Sequence, residues 1–310
     1  MDRNRARLLL LGSILLLLGA GQAGFPIRAA QWLAPEHRLQ ALSTRPNECA
    51  PIPSQPADRD AFEVGRAAFR SPLLLGGQAA RAGLSCESCH SNGRRNEHFK
   101  FPGLSGSPGT ADVTSSIMSS HRGNDIFDPR TIPDLAIPAK VSRDPSGFAL
   151  EHFIRGLIVE EFDGAEPPPL VLDGLARYVR SIGPSCENAK EPIRLSAMLD
   201  DSRRATMAAE YAWRQKDPAA ARLLVSGARS ALGRINERYS AEGLAGDRKR
   251  LRAADLGLLA IEQAIDRRDG DIPQRLAGWR AGMASWDAAL LRDERRSLFD
   301  KGLLARALDK

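Results

Sequence analysis

The sequence predicts an all-α chain in two parts: a loop-rich first part folded around a bound group, then an antiparallel helical bundle. Three observations carry this. From Pro192 onward, Ala, Leu and Arg recur with helical periodicity. Breaks at Asp217-Pro218, near Gly243 to Asp247, at Gly270 to Pro273 and near Arg292 space out about five helices. Before Pro192, three shorter segments place apolar residues on one helical face. Residues 91–147 are rich in Gly, Ser, Pro and Asp and show little periodicity, and a loop that long inside a compact domain needs something to wrap.

The first 23 residues read as an export signal or signal anchor. Arg3, Arg5 and Arg7 precede an apolar run from Leu8 to Leu18, and Gly21-Gln22-Ala23 offers small residues for cleavage. The run is short for a membrane span. Export implies a periplasmic chain; an uncleaved segment would tie it to the inner membrane. Residues 24–57 are a lead segment and linker, with Trp32 and Leu33 as packing residues and Pro51, Pro53 and Pro56 keeping the chain extended. Asp58 or Asp60 can then cap a helix running to about Phe69, with Phe62, Gly65 and Phe69 on one face.

Cys86-Glu87-Ser88-Cys89-His90 supplies the bound group. This C-x-x-C-H box is the attachment signal for c-type haem. Two thiols add across the two vinyl groups, and the His after the second Cys becomes an axial iron ligand. A zinc hook would need a second ligand pair, and no closely spaced Cys/His pair follows. A redox dithiol expects a βαβ surround, whereas these flanks are Gly/Ser-rich. One box implies one covalent haem c. The remaining cysteines, Cys49 and Cys186, bracket the segment, and in an oxidising compartment pairing between them is expected.

Several stretches resemble class I cytochromes c. Phe101-Pro102-Gly103-Leu104-Ser105-Gly106 is similar to the family's G-P-x-L-x-G segment. The resemblance implies that the Pro102 carbonyl accepts a hydrogen bond from the His90 ring and that Leu104 packs on the porphyrin. The Phe62–Phe69 helix resembles the family's first helix, whose Gly lets a later helix cross closely. Leu175-Ala176-Arg177-Tyr178-Val179 resembles the terminal helix, whose Tyr packs on the first. Asp128-Pro129-Arg130-Thr131-Ile132-Pro133-Asp134-Leu135 looks like the R-N-x-P-x-L segment of the bacterial cytochrome c peroxidase and MauG group. The resemblance implies a cytochrome c-like haem domain over residues 58–186.

The second iron ligand is open. Where class I cytochromes carry a Met before the terminal helix, this chain reads Val159-Glu160-Glu161-Phe162-Asp163-Gly164. Met118 and His121, in the loop before Arg130, are the preferred candidates; His98, close to the box, and His152, on a predicted helix, are the other histidine candidates of the haem domain. A stable second ligand implies an electron carrier. An open position implies a peroxidase-like enzyme, with Glu160 or Glu161 as acid–base. That enzyme group uses two haems and this chain has one box, so electron transfer stands first. A third reading is a haem subunit of a larger oxidoreductase complex.

Residues 191–310 form the bundle. Asp217-Pro218 is a cap followed by Pro at the first helical position. Leu258, Ile261 and Ile265, and Trp279, Met283, Trp286 and Leu290, recur as core stripes, and no catalytic constellation is present. The chain carries 44 Lys and Arg against 38 Asp and Glu, and the excess lies largely in this half. That balance suits a redox partner protein docked by the basic bundle, or anionic lipid. Nucleic acid is excluded by export and by the lack of an aromatic-interleaved basic patch.

Overall fold

The computed structural model describes residues 25–114, 117–120, 126–183 and 189–309. They form a predominantly helical fold in which the bundle and the loop-rich part share one continuous apolar core.

The chain begins as a clasp rather than a linker. Turns at residues 28–32 and 35–37 lead into α1 (Arg38–Ser43) and β1 (Thr44–Pro46). Ile27, Ala30, Leu33 and Leu42 pack with Leu298 and Leu304 in a second, smaller core. Trp32 reaches the main core instead. The Lys100 N–H donates to the Trp32 carbonyl at 3.0 Å, and the Ala34 N–H to the His98 carbonyl at 3.0 Å. Cys49 is buried and disulfide-bonded; its expected partner, Cys186, lies outside the described residues. On either side of that position, the Gly183 N–H donates to the Cys49 carbonyl and the Asn47 N–H to the Ala189 carbonyl, both at 3.0 Å.

Helix α2 (Pro56–Phe69) has Gln55 at its N-cap and so starts three residues earlier than a cap at Asp58 would set it. Pro56 takes its first position, where a fixed φ and a missing N–H cost nothing, and Asp58 falls in the first turn. Short helices α3 (Pro72–Leu75), α4 (Gly77–Ala82) and α5 (Cys86–Cys89) follow. A hairpin joins β2 (His90–Ser91) to β3 (Arg94–Arg95) through Asn92 and Gly93, both at positive φ, as an Asn-Gly turn requires. Two-residue strands β4 (Thr110–Ala111) and β5 (Arg130–Thr131) pair across the long loop. Helix α6 (Ala149–Gly156) runs into a π-helical turn at residues 157–161, and α7 (Pro169–Ser181) closes this part.

Helices α2 and α7 cross in backbone contact. A Cβ built on Gly65 would lie 1.8 Å from the Gly174 carbonyl oxygen, and one on Gly174 2.7 Å from that of Ala61. Tyr178 packs edge-on to Phe62 and Phe69, with ring centroids at 5.5 and 5.2 Å. The helices cannot meet this way with any side chain at either glycine. Gly65→Ala is therefore expected to destabilise the fold by about 1–3 kcal/mol or more, because backbone rather than a flexible side chain must move. A urea midpoint equal to that of the parent protein would contradict the crossing.

The strand β6 (Lys190–Pro192) pairs antiparallel with β1 and leads into the bundle. Its helices are α8 (Leu195–Arg214), α9 (Pro218–Arg238), α10 (Ala245–Asp266), α11 (Ile272–Asp293) and the short α12 (Lys301–Leu308). The expected five are present, and the Asp217 side chain caps α9 by accepting from the Ala220 N–H at 2.8 Å. Helix α2 packs on α8 and α9, so the bundle backs the loop-rich part directly. Among the described residues no helix is long and apolar enough to cross a membrane.

Candidate functional site

The Ser85 side chain caps the single helical turn of α5, and the Ser88 hydroxyl returns the bond by accepting from the Ser85 N–H at 3.1 Å. That turn puts Cys86 and Cys89 three residues apart on one side, both as free thiols. His90 leaves the helix at φ −122° and enters the β2–β3 hairpin. All three line a cavity of about 510 Å³. Its wall is mainly apolar: Phe69, Leu75 and Leu84 come from the α2–α5 side, Leu150, Phe153, Ile154 and Ile158 from α6 and its π-helical turn, and Leu175 and Val179 from α7. The bundle contributes none of the described wall residues.

Burial governs the chemistry of the three. It pushes the His90 imidazole down to about 4, against the opposing pull of the Pro133 carbonyl and of Asp134. The ring is therefore neutral at physiological pH, the form that ligates a metal. Its Nδ1 is buried without a closed hydrogen bond. Burial raises both thiols, Cys86 and Cys89, to about 12. A redox dithiol needs a depressed thiol pKa and an electropositive surround, which this apolar wall does not offer. Zinc would need further ligands, and among the described residues no group of three or more His, Cys, Asp and Glu side chains converges.

A polar rim completes the lining. Asp112 is buried and accepts from the Thr114 N–H at 3.1 Å and the Asp128 N–H at 3.0 Å, so it ties the rim loop together. Arg130 pairs with Asp128 at 2.5 Å, and Lys140 is exposed at the mouth. Phe153, 63% exposed, lies both in the wall and on the surface.

The sequence-predicted residues divide. Cys86, Cys89, His90 and Leu104 come together in the wall. Pro102 does not: it is exposed, and the proline carbonyl near His90 is that of Pro133, brought in where the Leu135 N–H donates to the Gly93 carbonyl at 3.1 Å. Met118 is fully buried in the main core but is not a wall residue. His121 lies outside the described residues. His98 stacks on His37 at 4.5 Å, and His152 is exposed, both away from the wall. Glu160 and Glu161 are not wall residues either.

Sequence reasoning missed a buried ionic network behind the box. Arg70 donates to Glu48 at 3.0 Å, to Asn92 at 2.8 Å and to the Tyr178 hydroxyl at 3.3 Å. Arg66 bridges Glu48 and Asp201, each at 2.8 Å. Glu87, inside the box, accepts from the Asn92 N–H at 2.9 Å and lies 3.6 Å from Arg70. The network links the box and α2 to α7 and, through Asp201, to α8. Desolvation pulls Glu48 upward, but Arg70 and Arg66 override it and hold the carboxyl well below its ordinary range. Asp201 is held low in the same way, while burial leaves Glu87 raised.

No protein-family model, curated protein or solved structure matches this chain.

Proposed function

We propose that this chain is an exported, periplasmic c-type cytochrome that transfers electrons through one haem held covalently by Cys86 and Cys89, with His90 as an axial ligand. One observation carries the reading: two thiols at helical spacing and a neutral, half-buried imidazole share the wall of an apolar cavity of about 510 Å³. The wall fits the group, with thiols to hold it, an imidazole to ligate it and apolar side chains to cover it. The close α2–α7 crossing at Gly65 and Gly174 and the packing of Tyr178 favour a cytochrome c-like domain.

The haem, when bound, supplies a centre that gains and loses one electron. The chain's own residues set the conditions. The apolar wall keeps water from the site and lowers the local dielectric. Pro133 offers a carbonyl on the His90 side that would orient the ring and strengthen the ligand. Because the bundle is absent from the described wall, a redox partner protein is best placed at the mouth beside Phe153 and Lys140 rather than on the bundle.

The peroxidase-like alternative has one observation in its favour: the described wall contains no Met and no second His. Against it, neither Glu160 nor Glu161 reaches the wall, whose acids are Asp112 and Asp128 in the rim. Absorption spectra of the ferric and ferrous protein separate the two. The carrier reading expects a low-spin iron, with Met118→Ala or His121→Ala, whichever residue is the second ligand, converting it to high spin. A high-spin parent protein that turns over peroxide, with both variants unchanged, would move the enzyme reading ahead.

A further inference from the structure

We propose that one end of the helical bundle is a docking surface for anionic lipid headgroups. Two stretches meet there. The first turns of α10 and the end of α11 are joined by a contact between Asp247 and Asp293, and the Arg296 guanidinium reaches Gly243. Residues 242–252 and 292–301 hold eight basic and five acidic residues, a net of +3, which is half of the chain's +6 in 21 residues.

The acidic side chains at this end are largely spent on the protein. Asp247 is buried, Asp293 binds Arg296 at 2.7 Å, Glu294 accepts from the Leu195 N–H at 2.9 Å, and Asp300 caps α12 by accepting from the Leu303 N–H at 2.8 Å. Lys249, Arg252, Arg292 and Arg295 are exposed and make no hydrogen bond or ion pair with another described residue. Residues 248–250 also place three cations close to the N-terminus of α10, where the helix dipole opposes positive charge. Arg250 pairs with Asp247 at 3.1 Å on the same helix, but local helix stability does not account for Arg248 and Lys249 there. Leu291, 44% exposed, adds an apolar side chain beside Arg292.

The position of the N-terminal segment favours a lipid surface over an acidic protein. The described chain starts at Phe25, which packs on the small core containing Leu298 and Leu304. In sequence, the apolar run Leu8 to Leu18 precedes Phe25 by a few residues, and Phe25 lies beside the stretch that carries Arg295 and Arg296. A bilayer that receives that run would lie within reach of this end of the bundle. Juxtamembrane Lys and Arg clusters bind anionic headgroups through charge that salt screens. The inference rests on the export reading, and on neither the haem nor the redox role.

The test is co-sedimentation of the haem-loaded protein, purified as export leaves it, with phosphatidylcholine vesicles with and without phosphatidylglycerol. The proposal expects tighter partition onto the anionic vesicles and loss of that excess at high salt. K249Q/R252Q/R295Q should lower the excess on the order of a hundredfold. K216Q/R267Q/R268Q, which removes the same charge from the opposite end of the bundle, should leave it nearly unchanged. Circular dichroism of both variants checks that each is folded. Equal partition onto neutral and anionic vesicles overturns the proposal, as does an equal loss in the two variants. Unchanged anionic binding in K249Q/R252Q/R295Q, or capture by an acidic protein alone with no vesicle preference, also overturns it.

Discussion

Replacing Cys86 and Cys89 together by Ala is expected to abolish covalent haem in protein matured by a cytochrome c-competent host. Each thiol is free, half-buried and part of the same cavity wall, so each is positioned for one thioether. The small side chain of Ala tests attachment with little change in packing, since a buried Cys behaves as a small hydrophobe. Haem staining after denaturing electrophoresis reads the result. Single variants should retain one attachment point and so stain weakly, whereas His90→Ala should stain but lose its low-spin spectrum. Unaltered staining in the double variant would remove the basis of the proposed function.

The second large effect is expected from Arg70→Met. Arg70 is buried, and its guanidinium serves Glu48, Asn92 and Tyr178 at once while lying near Glu87 and Asp201. Met preserves much of the volume but strands buried carboxylates. Removing one partner of such a network costs about 3–5 kcal/mol, measurable by urea unfolding. The pH dependence has a fixed sign. Desolvation opposes ionisation of Glu48 and Asp201, but the arginines hold both folded-state pKa values below their ordinary ones. The stability they contribute is present above about pH 4 and is lost as pH falls through the folded pKa values. Glu87 runs the other way, because burial raises its pKa. Arg70→Met should therefore flatten the acid limb of the stability profile as well as lower its plateau. A variant with full stability and an unchanged acid limb would show that the network is not holding the parts together.

Chemistry written in adjacent residues was legible from the sequence. The box places its thiols and imidazole by a single helical turn and the residue that follows, so Cys86, Cys89 and His90 could be read together before any fold was known. Helix–helix contact was legible where a glycine marked it, at Gly65. Contacts that depend on distant chain crossing were not. Pro102 sits at a suggestive spacing but on the surface, whereas Pro133 reaches the His90 side because β4 pairs with β5 and Leu135 bonds to Gly93. The lead segment carried little periodicity, since its order comes from pairing with β6 and packing on Leu298 and Leu304. Nothing local in the sequence marks Arg66 and Arg70 for burial. They are buried because α8 covers their side of α2 and brings Asp201 to meet them. The Asn92-Gly93 turn was the one missed feature with a plain local signal, an Asn-Gly pair directly after the box.

The most direct test of the central claim is the intact mass of the purified protein after acidic organic extraction, which removes haem that is not covalently attached. The account predicts a chain that keeps its colour and carries the mass of one haem. A colourless chain at its bare polypeptide mass, with the pigment in the organic phase or none at all, would contradict it.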